Sequence, residues 1–497
     1  MNTLAKEKAV VVQRLTKKFA SIIEKSLQKN DYETALSAIS CSAHTQYIYN
    51  QSYTDVFLEE KLKQIAEEMK PAYQQLSQTE ADSNTVLFYD GFGLDTRGVA
   101  GMYLRSLKNN GYHIVYVTRK ASENSLPTLL GILDDADAVC EFVDLDGSYR
   151  QCVDALVQVF MRHRPKALLF YTYPDDAAGC VAFHLYEGIG KRYLIDLTDH
   201  AFWLGTGCND YFCGSREMSA SNQLFGRGIP KEKLIKLGVN LLVDPQRQPD
   251  PLPFDIENSR YIFSGGALYK TLGDEENTYY RIVDHILRNH KDVKFLYAGT
   301  GDESQMQLLL DKYPQQAFLI PERKDFYYLI AHSVFYLNTY PMFGGMMMKF
   351  SAHAKKIPVT LRHNADSDGL LLDQAAARID YDSYEALIED VDRLLTDEAY
   401  LRSRETLLEG KIITQQRFDN NLRSAIETQT TDYDHAYEQL DTTEFVAEYY
   451  RRFRIEDVYS IICNKRHLSV LLQIPSAWIY VLKKVLRKIK QIIIAER

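Results

Sequence analysis

The sequence has few cysteines, no long apolar run and no excess of basic residues. Its seven cysteines among 497 residues include no Cys-x-x-Cys spacing, which argues against a disulfide scaffold or a zinc site and favours the reducing cytosol. No uninterrupted apolar run is long enough to cross a bilayer, and the N-terminal residues mix charges without the apolar core of a signal peptide. The net charge of −9 excludes a general nucleic-acid binder, because phosphate binding needs a basic face. We therefore expect a cytoplasmic protein that binds no nucleic acid.

The composition that remains is that of a folded protein with several domains. Hydrophobic residues make up 45% of the chain and charged residues 25%, as in ordinary globular proteins. A length of 497 residues suits two or three domains rather than one.

Residues 1–80 predict a helical N-terminal subdomain. A break at Asn30 leads into a second helix over residues 32–39, and a third helix is expected over residues 58–76. This segment suits packing or partner contact. The first helix carries an apolar stripe at helical spacing, formed by Val11, Leu15, Phe19, Ile22, Ile23 and Leu27.

From residue 84 the sequence alternates between short apolar runs and helical patterns. A glycine-rich turn over residues 90–98 separates the first strand from a helix at 99–109, which is the order of a βαβ unit with a parallel sheet. We assign residues 84–245 to a Rossmann-like domain. Its strands are expected at residues 85–89, 114–117, 138–143, 167–171 and 192–197.

A polar, proline-rich stretch over residues 244–253 predicts a linker, after which the alternation begins again. We assign residues 255–410 to a second Rossmann-like domain and residues 411–497 to a helical return and tail. The strands of this domain are expected at residues 261–266, 293–298, 318–320, 334–337 and 358–361, with a helix at 278–289.

Four stretches in these two domains combine glycines or polar groups with strand ends. They are the glycine turn 91–98, the polar segment 196–205, residues 264–270, and residues 336–349 with the strand entry at 356–360. Glycines let a backbone approach a ligand closely, and a helix N-terminus favours negative charge.

These four stretches resemble glycosyltransferases of the GT-B fold, over roughly residues 84–410. The resemblance implies an α/β protein whose two Rossmann-like domains face each other across a cleft, with no metal or other cofactor. It implies a hexosyltransferase-type enzyme of polysaccharide biosynthesis, with a nucleotide-diphosphate sugar, expected to be a UDP-sugar, as donor. The expected acceptor is a cell-envelope glycan, a lipid-linked intermediate or a protein, and homo- or hetero-oligomers remain open.

The resemblance assigns the acceptor side to the first domain. His200 is expected to act as general base or sugar-hydroxyl contact, oriented by Asp199 or Asp196, because imidazole titrates near neutral pH. Asp175 and Asp176 are expected to cap a helix rather than bind a metal. The loop over the acceptor and the donor phosphates contains Gly91, Gly93, Asp95, Arg97 and Gly98.

The resemblance assigns the donor side to the second domain. Lys270 follows the first strand there and is expected to contact the diphosphate as a point charge. The alternative is a surface lysine without a role. The other expected donor-binding residues are Gly265, Gly266, Gly299, Gly301, Asn338, Gly344, Gly345 and Met346.

The sequence departs from the family at one point of the donor site. Many retaining GT-B enzymes have a pair of glutamates near the donor glycines, whereas Phe343 and Ser351 stand near those places here. The departure raises the alternative of a catalytically silent GT-B subunit that supports an active partner. A nucleotide-sugar epimerase of the same two-domain shape is a third hypothesis, although the sequence offers no convincing carboxylate pair for it.

Residues 475–497 predict a basic amphipathic helix in an otherwise acidic protein. Its apolar face includes Trp478, and its basic face includes Lys483, Lys484, Arg487 and Lys488. Such a helix suits an anionic membrane surface, which would place the protein at the inner face of the cell membrane. The alternative is a final helix docked on the protein itself.

Overall fold

The computed structural model describes residues 3–49, 52–78, 80–95, 98–244, 247–363, 369–432, 437–439, 455–483 and 486. The chain forms two compact units. The first unit comprises Met1–Leu237 with Asp419–Arg497, and the second comprises Gly238–Phe418. The four domains and segments predicted from the sequence, with boundaries near residues 80, 245 and 410, stay a prediction. Arg97, Lys484, Arg487 and Lys488 lie outside the described residues.

The first unit is built on a parallel sheet of seven strands in the order β3-β2-β1-β4-β5-β6-β7. The predicted strands of this unit are confirmed, and two short ones, β6 and β7, extend the sheet beyond them. The central strands are buried apolar runs, as expected of a parallel sheet that helices cover on both faces. The strands are β1 (Asp82–Asp90), β2 (His113–Arg119), β3 (Ala138–Val143), β4 (Pro165–Tyr171), β5 (Lys191–Ile195), β6 (Tyr211–Gly214) and β7 (Leu234–Lys236).

Helices from both ends of the chain pack in this unit. Phe19 and Leu62 from the N-terminal helices share one apolar core with Leu87 of β1. The second helix runs to Tyr49 and so is longer than predicted. The helices are α1 (Thr3–Leu27), α2 (Tyr32–Tyr49), α3 (Val56–Met69), α4 (Gly98–Asn109), α5 (Pro127–Leu133), α6 (Tyr149–His163), α7 (Ala177–Leu185) and α8 (Glu217–Ser221), followed by a π-helical turn at Asn222–Gly226.

The second unit is built on a parallel sheet of six strands in the order β10-β9-β8-β11-β12-β13. The strands are β8 (Arg260–Gly265), β9 (Val293–Ala298), β10 (Ala317–Ile320), β11 (Tyr336–Leu337), β12 (Pro358–Leu361) and β13 (Asp380–Tyr381). The helices are α9 (Thr278–Asn289), α10 (Ser304–Lys312), α11 (Phe326–His332), α12 (Gly345–His353), α13 (Gln374–Ala377), α14 (Tyr384–Thr396) and α15 (Glu398–Thr406). Two Rossmann-like sheets therefore follow each other along the chain, as predicted.

The chain then leaves the second unit through α16 (Gln415–Thr428), and the residues from Asp419 onward belong to the first unit. Two short helices follow, α17 (Ile455–Ile462) and α18 (Leu468–Leu471), and residues 475–483 are helical again. Leu472, Trp478, Ile479 and Leu482 expose about half or more of their surface. Among the helices of the described residues, none combines the length and apolarity that a membrane span requires.

Candidate functional site

Each sheet has a point at which the strand order reverses, and the predicted site residues follow strands that lie at or next to these two points. The reversal lies between β1 and β4 in the first unit and between β8 and β11 in the second. In open parallel sheets, ligands bind in the crevice outside the carboxyl ends of the strands at such a point. Each unit therefore has its own candidate binding region.

The glycine loop after β1 is held in shape by Asp90, which is fully buried. Its Oδ1 accepts hydrogen bonds of 3.0 Å from the backbone amides of Phe92 and Gly93. A side chain at Gly91 would stand 1.9 Å from Thr172 Oγ1, so only glycine fits there. The loop after β1 therefore packs directly against the loop after β4.

Asp95 and Gly98 complete the described part of this loop. Asp95 accepts hydrogen bonds from the backbone amide of Thr128, at 2.8 Å, and from its hydroxyl, at 2.7 Å. It thus binds the first turn of α5. Gly98 is the first residue of α4.

The aspartates after β4 are engaged within the protein. Asp176 caps α7 by accepting a 2.8 Å hydrogen bond from the amide of Gly179, which is the role predicted for it. Asp175 does not cap this helix. Its Oδ2 instead lies 3.2 Å from Nδ1 of His44, within hydrogen-bond distance.

The two predicted catalytic residues, Asp199 and His200, follow β5. Asp199 is buried and binds Arg216 at two points, Nε to Oδ2 at 2.5 Å and Nη2 to Oδ1 at 2.8 Å. His200 Nδ1 lies 3.5 Å from Asp199 Oδ1. Burial opposes ionisation of Asp199, but the charge and hydrogen bonds of Arg216 outweigh it, so the pKa of Asp199 lies below its usual value.

Asp196, at the end of β5, has a different environment from Asp199. Its Oδ2 accepts hydrogen bonds from Ser219 Oγ, at 3.0 Å, and from Gln223 Nε2, at 2.8 Å. Its Oδ1 is buried and has no hydrogen-bond partner among the described residues. Burial raises the pKa of Asp196 to about 6. The positive charge of Arg227 opposes this rise, and the negative charge of Asp199 adds to it.

A small recess with room for about one water molecule lies at the carboxyl ends of β4 and β5. Asp196 is one of its lining residues, with the hydroxyl-bearing side chains of Thr172, Tyr173 and Thr198. The remaining lining residues are apolar: Phe170, Leu194, Ile195, Leu197, Trp203 and Leu204.

Two interactions fix the wall of this recess, and neither is evident from local sequence. The guanidinium of Arg227 lies over the ring of Trp203, 3.9 Å from the ring centroid. Glu59 of α3, also buried, accepts backbone hydrogen bonds from Gly205, at 2.8 Å, and Gly207, at 2.9 Å. Sequence reasoning missed Glu59 because it is 146 residues away from the loop that it binds.

In the second unit, backbone hydrogen bonds join the turns after three adjacent strands. The amide of Gly266, after β8, donates to Ala298 O at 2.9 Å, at the end of β9. The amide of Met342, after β11, donates to Lys270 O at 3.2 Å. The structure thus brings the predicted donor-binding residues of these turns into one cluster.

The glycines in this cluster meet the packing and backbone demands of the turns. Gly266 and Gly301 have φ angles of +128° and +144°, which residues other than glycine rarely adopt. A side chain at Gly299 would stand 2.0 Å from Gly266 O.

Asn338 shapes the turn that leads into α12. Its Oδ1 accepts from the amides of Thr339, at 3.0 Å, and Gly344, at 2.8 Å, while its Nδ2 donates to Thr360 Oγ1. Asn338 is buried, so these hydrogen bonds position the turn rather than face solvent. Gly344 then precedes α12, whose first turn contains Gly345 and Met346.

The start of α12 is suited to an anion. Its N-cap Gly344 offers no side chain, and its first turn contains no acidic residue. The first amides of a helix lack partners within the helix, and the helix dipole favours negative charge there. Lys349 of the same helix is buried, and the stem of Lys270 passes beside Gly266, with Cδ 3.9 Å from the position of a Cβ on that glycine.

Within the part of the chain that the structure describes, no three His, Cys, Asp or Glu side chains are placed to hold a metal ion.

No protein-family model matches the chain, and no curated protein matches its sequence. Among solved structures, it is similar to a putative UDP-N-acetylglucosamine 2-epimerase from Listeria monocytogenes, with a TM-score of 0.53 and 12% identity over 72% of this chain and 99% of that one. A second UDP-N-acetylglucosamine 2-epimerase has a TM-score of 0.52 and 13% identity, over 72% of this chain and 100% of that one. A mutant O-GlcNAc transferase from Thermobaculum terrenum has a TM-score of 0.49 and 15% identity, over 85% and 82%.

At these identities the likeness establishes the fold alone. The chain has the two Rossmann-like units of the GT-B fold, which nucleotide-sugar enzymes share. The predicted fold is therefore confirmed, while the predicted cleft and the roles of individual site residues stay predictions.

Proposed function

We propose that this protein is a glycosyltransferase that takes a sugar from a nucleotide-diphosphate sugar. The expected donor is a UDP-sugar, and the acceptor is a cell-envelope glycan, a lipid-linked intermediate or a protein. The observation that carries the proposal is the cluster of hydrogen-bonded turns after β8, β9 and β11, the last of which leads into α12. Backbone amides and glycines at a helix N-terminus are a general binding site for phosphate groups.

The chemistry of the cluster fits a diphosphate leaving group. When the bond between the sugar and the diphosphate breaks, negative charge builds up on the terminal phosphate. Donors that are already in place stabilise that charge without rearranging. The amides of the first turn of α12 would serve in this way, with the ammonium of Lys270 as a mobile positive charge from the neighbouring turn.

In the first unit, His200 would contact the hydroxyl group of the acceptor. Asp199 lies close enough to orient the imidazole, and its pair with Arg216 keeps that carboxylate ionised. Asp199 is then a positioning residue, because its oxygens are engaged with Arg216 and His200.

The alternative of a catalytically silent subunit rests on Ser351 and Phe343. Ser351 is fully buried, and its hydroxyl donates to Lys356 O at 2.6 Å. It is therefore directed into the protein rather than toward a ribose. A subunit that binds a partner would keep the fold without the sugar-contacting carboxylates.

Donor turnover separates these two functions. The purified protein would be incubated with UDP-, GDP- and dTDP-sugars without an acceptor, and release of the nucleoside diphosphate would be measured beside calorimetric binding of the same sugars. The enzyme proposal expects binding and slow hydrolysis of at least one sugar. Binding without release favours the silent subunit, and the absence of both rejects the donor site.

Lys270→Ala tests the donor site at a single residue. We expect about tenfold weaker binding of the nucleoside diphosphate, since a hydrogen bond to a charged group contributes about 1.5–3 kcal/mol. Lys324→Ala, at an exposed lysine of the same unit, is the matched control and should bind like the unchanged protein. Equal affinity in both variants would remove Lys270 from the site.

We further propose that the C-terminal helix binds an anionic membrane surface. Trp478, Ile479 and Leu482 expose 48%, 58% and 62% of their surface, which is unusual for large apolar side chains. Lys483 adds positive charge within the described residues, and the sequence continues with Lys484, Arg487 and Lys488. An apolar face with flanking lysines suits the boundary between headgroups and acyl chains.

A further inference from the structure

The exposed side of α1 is strongly basic in a protein of net negative charge. Residues 8–30 contain six lysines or arginines and one acidic residue, Glu24, whereas the whole chain has 67 acidic and 58 basic residues. A solvated surface usually interleaves the two signs of charge. A surface of one sign attracts a partner of the opposite sign over about one Debye length, which is about 10 Å at 0.1 M salt.

Helical periodicity places four of these cations on one side of α1. Arg14, Lys17, Lys18 and Lys25 recur at helical spacing, and all four are exposed. No ion pair among the residues that the structure describes involves any of them. The opposite side of α1 is fixed in the core of the first unit through Val12, Leu15, Phe19, Ile22 and Ile23. The basic side is therefore held toward solvent.

α2 connects this basic side with the C-terminal segment, residues 455–483. α2 is buried along most of its length, and both α1 and the C-terminal segment pack against it. His467 fixes part of that packing, since its Nδ1 lies 2.9 Å from Ser37 Oγ of α2. The basic side of α1 and the C-terminal segment therefore belong to elements that cover the same helix.

Exposed apolar side chains decide which anionic partner suits this surface. Val10 is exposed at the beginning of the basic side of α1, and Leu468 and Leu472 are exposed in the C-terminal segment, as are Trp478 and Leu482. A nucleic acid offers phosphate charge without an apolar layer, whereas a membrane offers acidic headgroups above acyl chains. Positive charge beside exposed apolar residues therefore favours an anionic lipid surface.

We propose that the basic side of α1 binds the anionic headgroups of a membrane beside the C-terminal segment. The assignment rests on the membrane surface proposed for the C-terminal helix, and it adds a contact from the other end of the chain. The cations of α1 attract the membrane from a distance, and the apolar side chains of the C-terminal helix enter it on contact. Two linked contacts bind more tightly than either one alone.

The test neutralises three cations in the full-length protein with the α1 triple variant, Arg14→Gln, Lys18→Gln and Lys25→Gln. Each cation near an anionic membrane contributes about a fivefold change in affinity, so this variant should bind phosphatidylglycerol vesicles about a hundredfold more weakly in co-sedimentation. The difference should shrink in 1 M salt, where the Debye length is about 3 Å. The charge-conserving variant, Arg14→Lys, Lys18→Arg and Lys25→Arg, should bind like the unchanged protein.

A matched control removes the same charge from the second unit. Lys324→Gln, Lys355→Gln and Arg402→Gln together alter three exposed cations there, and this control should sediment with the vesicles like the unchanged protein. Undiminished binding of the α1 triple variant would overturn the proposal. An equal loss in the α1 triple variant and in the control would also overturn it, because net charge rather than α1 would then govern binding.

Further outcomes separate this proposal from its neighbours. A loss of binding in the α1 triple variant but not in Trp478→Ser with Leu482→Ser would support α1 and reject the C-terminal helix, and the reverse result would reject α1. Failure of the unchanged protein to bind vesicles would overturn both membrane proposals. Binding of poly(U) RNA that requires the three cations, with vesicle binding unaffected, would overturn the lipid assignment. Calorimetric binding of UDP tests the proposed donor site separately and should be the same in every variant.

Discussion

Arg216 and Asp199 form a two-point ion pair in the interior of the first unit, while Oδ1 of Asp196, three residues before Asp199, has no hydrogen-bond partner among the residues that the structure describes. Two carboxylates on one loop therefore have opposite environments. The pKa of Asp199 is lowered by its cation, and burial raises the pKa of Asp196 to about 6. Neighbouring acids with separated pKa values are a frequent sign of different roles in one site.

Asp199→Asn should destabilise the first unit. It leaves the buried guanidinium of Arg216 without its anion, and breaking a buried ion pair in this way costs about 3–5 kcal/mol. Urea unfolding of the variant should show a lower midpoint than that of the unchanged protein. A midpoint within error of the unchanged protein would mean that Arg216 finds another partner.

Asp196→Asn should instead stabilise the first unit at neutral pH. The folded state holds its proton up to about pH 6, whereas the unfolded chain loses it near 3.8. Between these values the folded state binds more protons, so stability falls as pH rises and the loss persists above pH 6. Asp199, Arg227, Ser219 and Gln223 face the carboxylate and contribute to this balance.

The variant should therefore raise the midpoint of thermal unfolding by a few degrees at pH 7, with the difference vanishing near pH 4. Scanning calorimetry at both pH values measures this. A higher midpoint at pH 7 would show that the buried carboxylate lowers the stability of the fold. A lower midpoint at pH 7 would show that the carboxylate is structural.

The sequence predicted the parallel sheets because buried strands and their turns are local patterns. The expected strands of β1 to β5 and the helix at 278–289 recur in the structure. Strands β6 and β7 were missed because runs of four and three residues carry no periodicity of their own. Their place is set by pairing with β5 and with each other.

The candidate site was less predictable because its partners are distant in sequence. The segment at 196–205 indicated a site, but nothing in it distinguishes Asp196 from Asp199. Arg216 and Gln223 make that distinction, and they meet the aspartates only through the fold. Glu59 likewise belongs to a helix that the sequence assigned to packing or partner contact.

Glu59→Gln should loosen the loop after Trp203. The amide nitrogen of glutamine would point a donor at backbone amides that now donate to the carboxylate, leaving at least one of them unpaired at a cost of about 1–3 kcal/mol. Hydrogen exchange of the amides of Gly205, Thr206 and Gly207 should become faster. Glu60→Gln, at an exposed neighbour on α3, should leave their exchange unchanged, and equal exchange in both variants would contradict the role given to Glu59.

The double variant Trp478→Ser with Leu482→Ser should lose membrane binding. Both side chains are exposed, so their removal costs the folded protein little while it removes the apolar anchor. Co-sedimentation with phosphatidylglycerol vesicles should fall to the level seen with phosphatidylcholine vesicles. Leu308→Ser, at a leucine with 63% exposure on α10, is the control that should sediment like the unchanged protein. Undiminished binding of the double variant would refute the membrane surface.

The account depends most on a nucleotide-diphosphate site at the start of α12. The direct measurement is a crystal structure of the protein soaked with UDP. The account predicts the diphosphate against the first turn of α12, within hydrogen-bond distance of the amides of Gly345 and Met346 and with the ammonium of Lys270 turned toward it. UDP bound elsewhere, or a fully soaked crystal with this position empty, would contradict it.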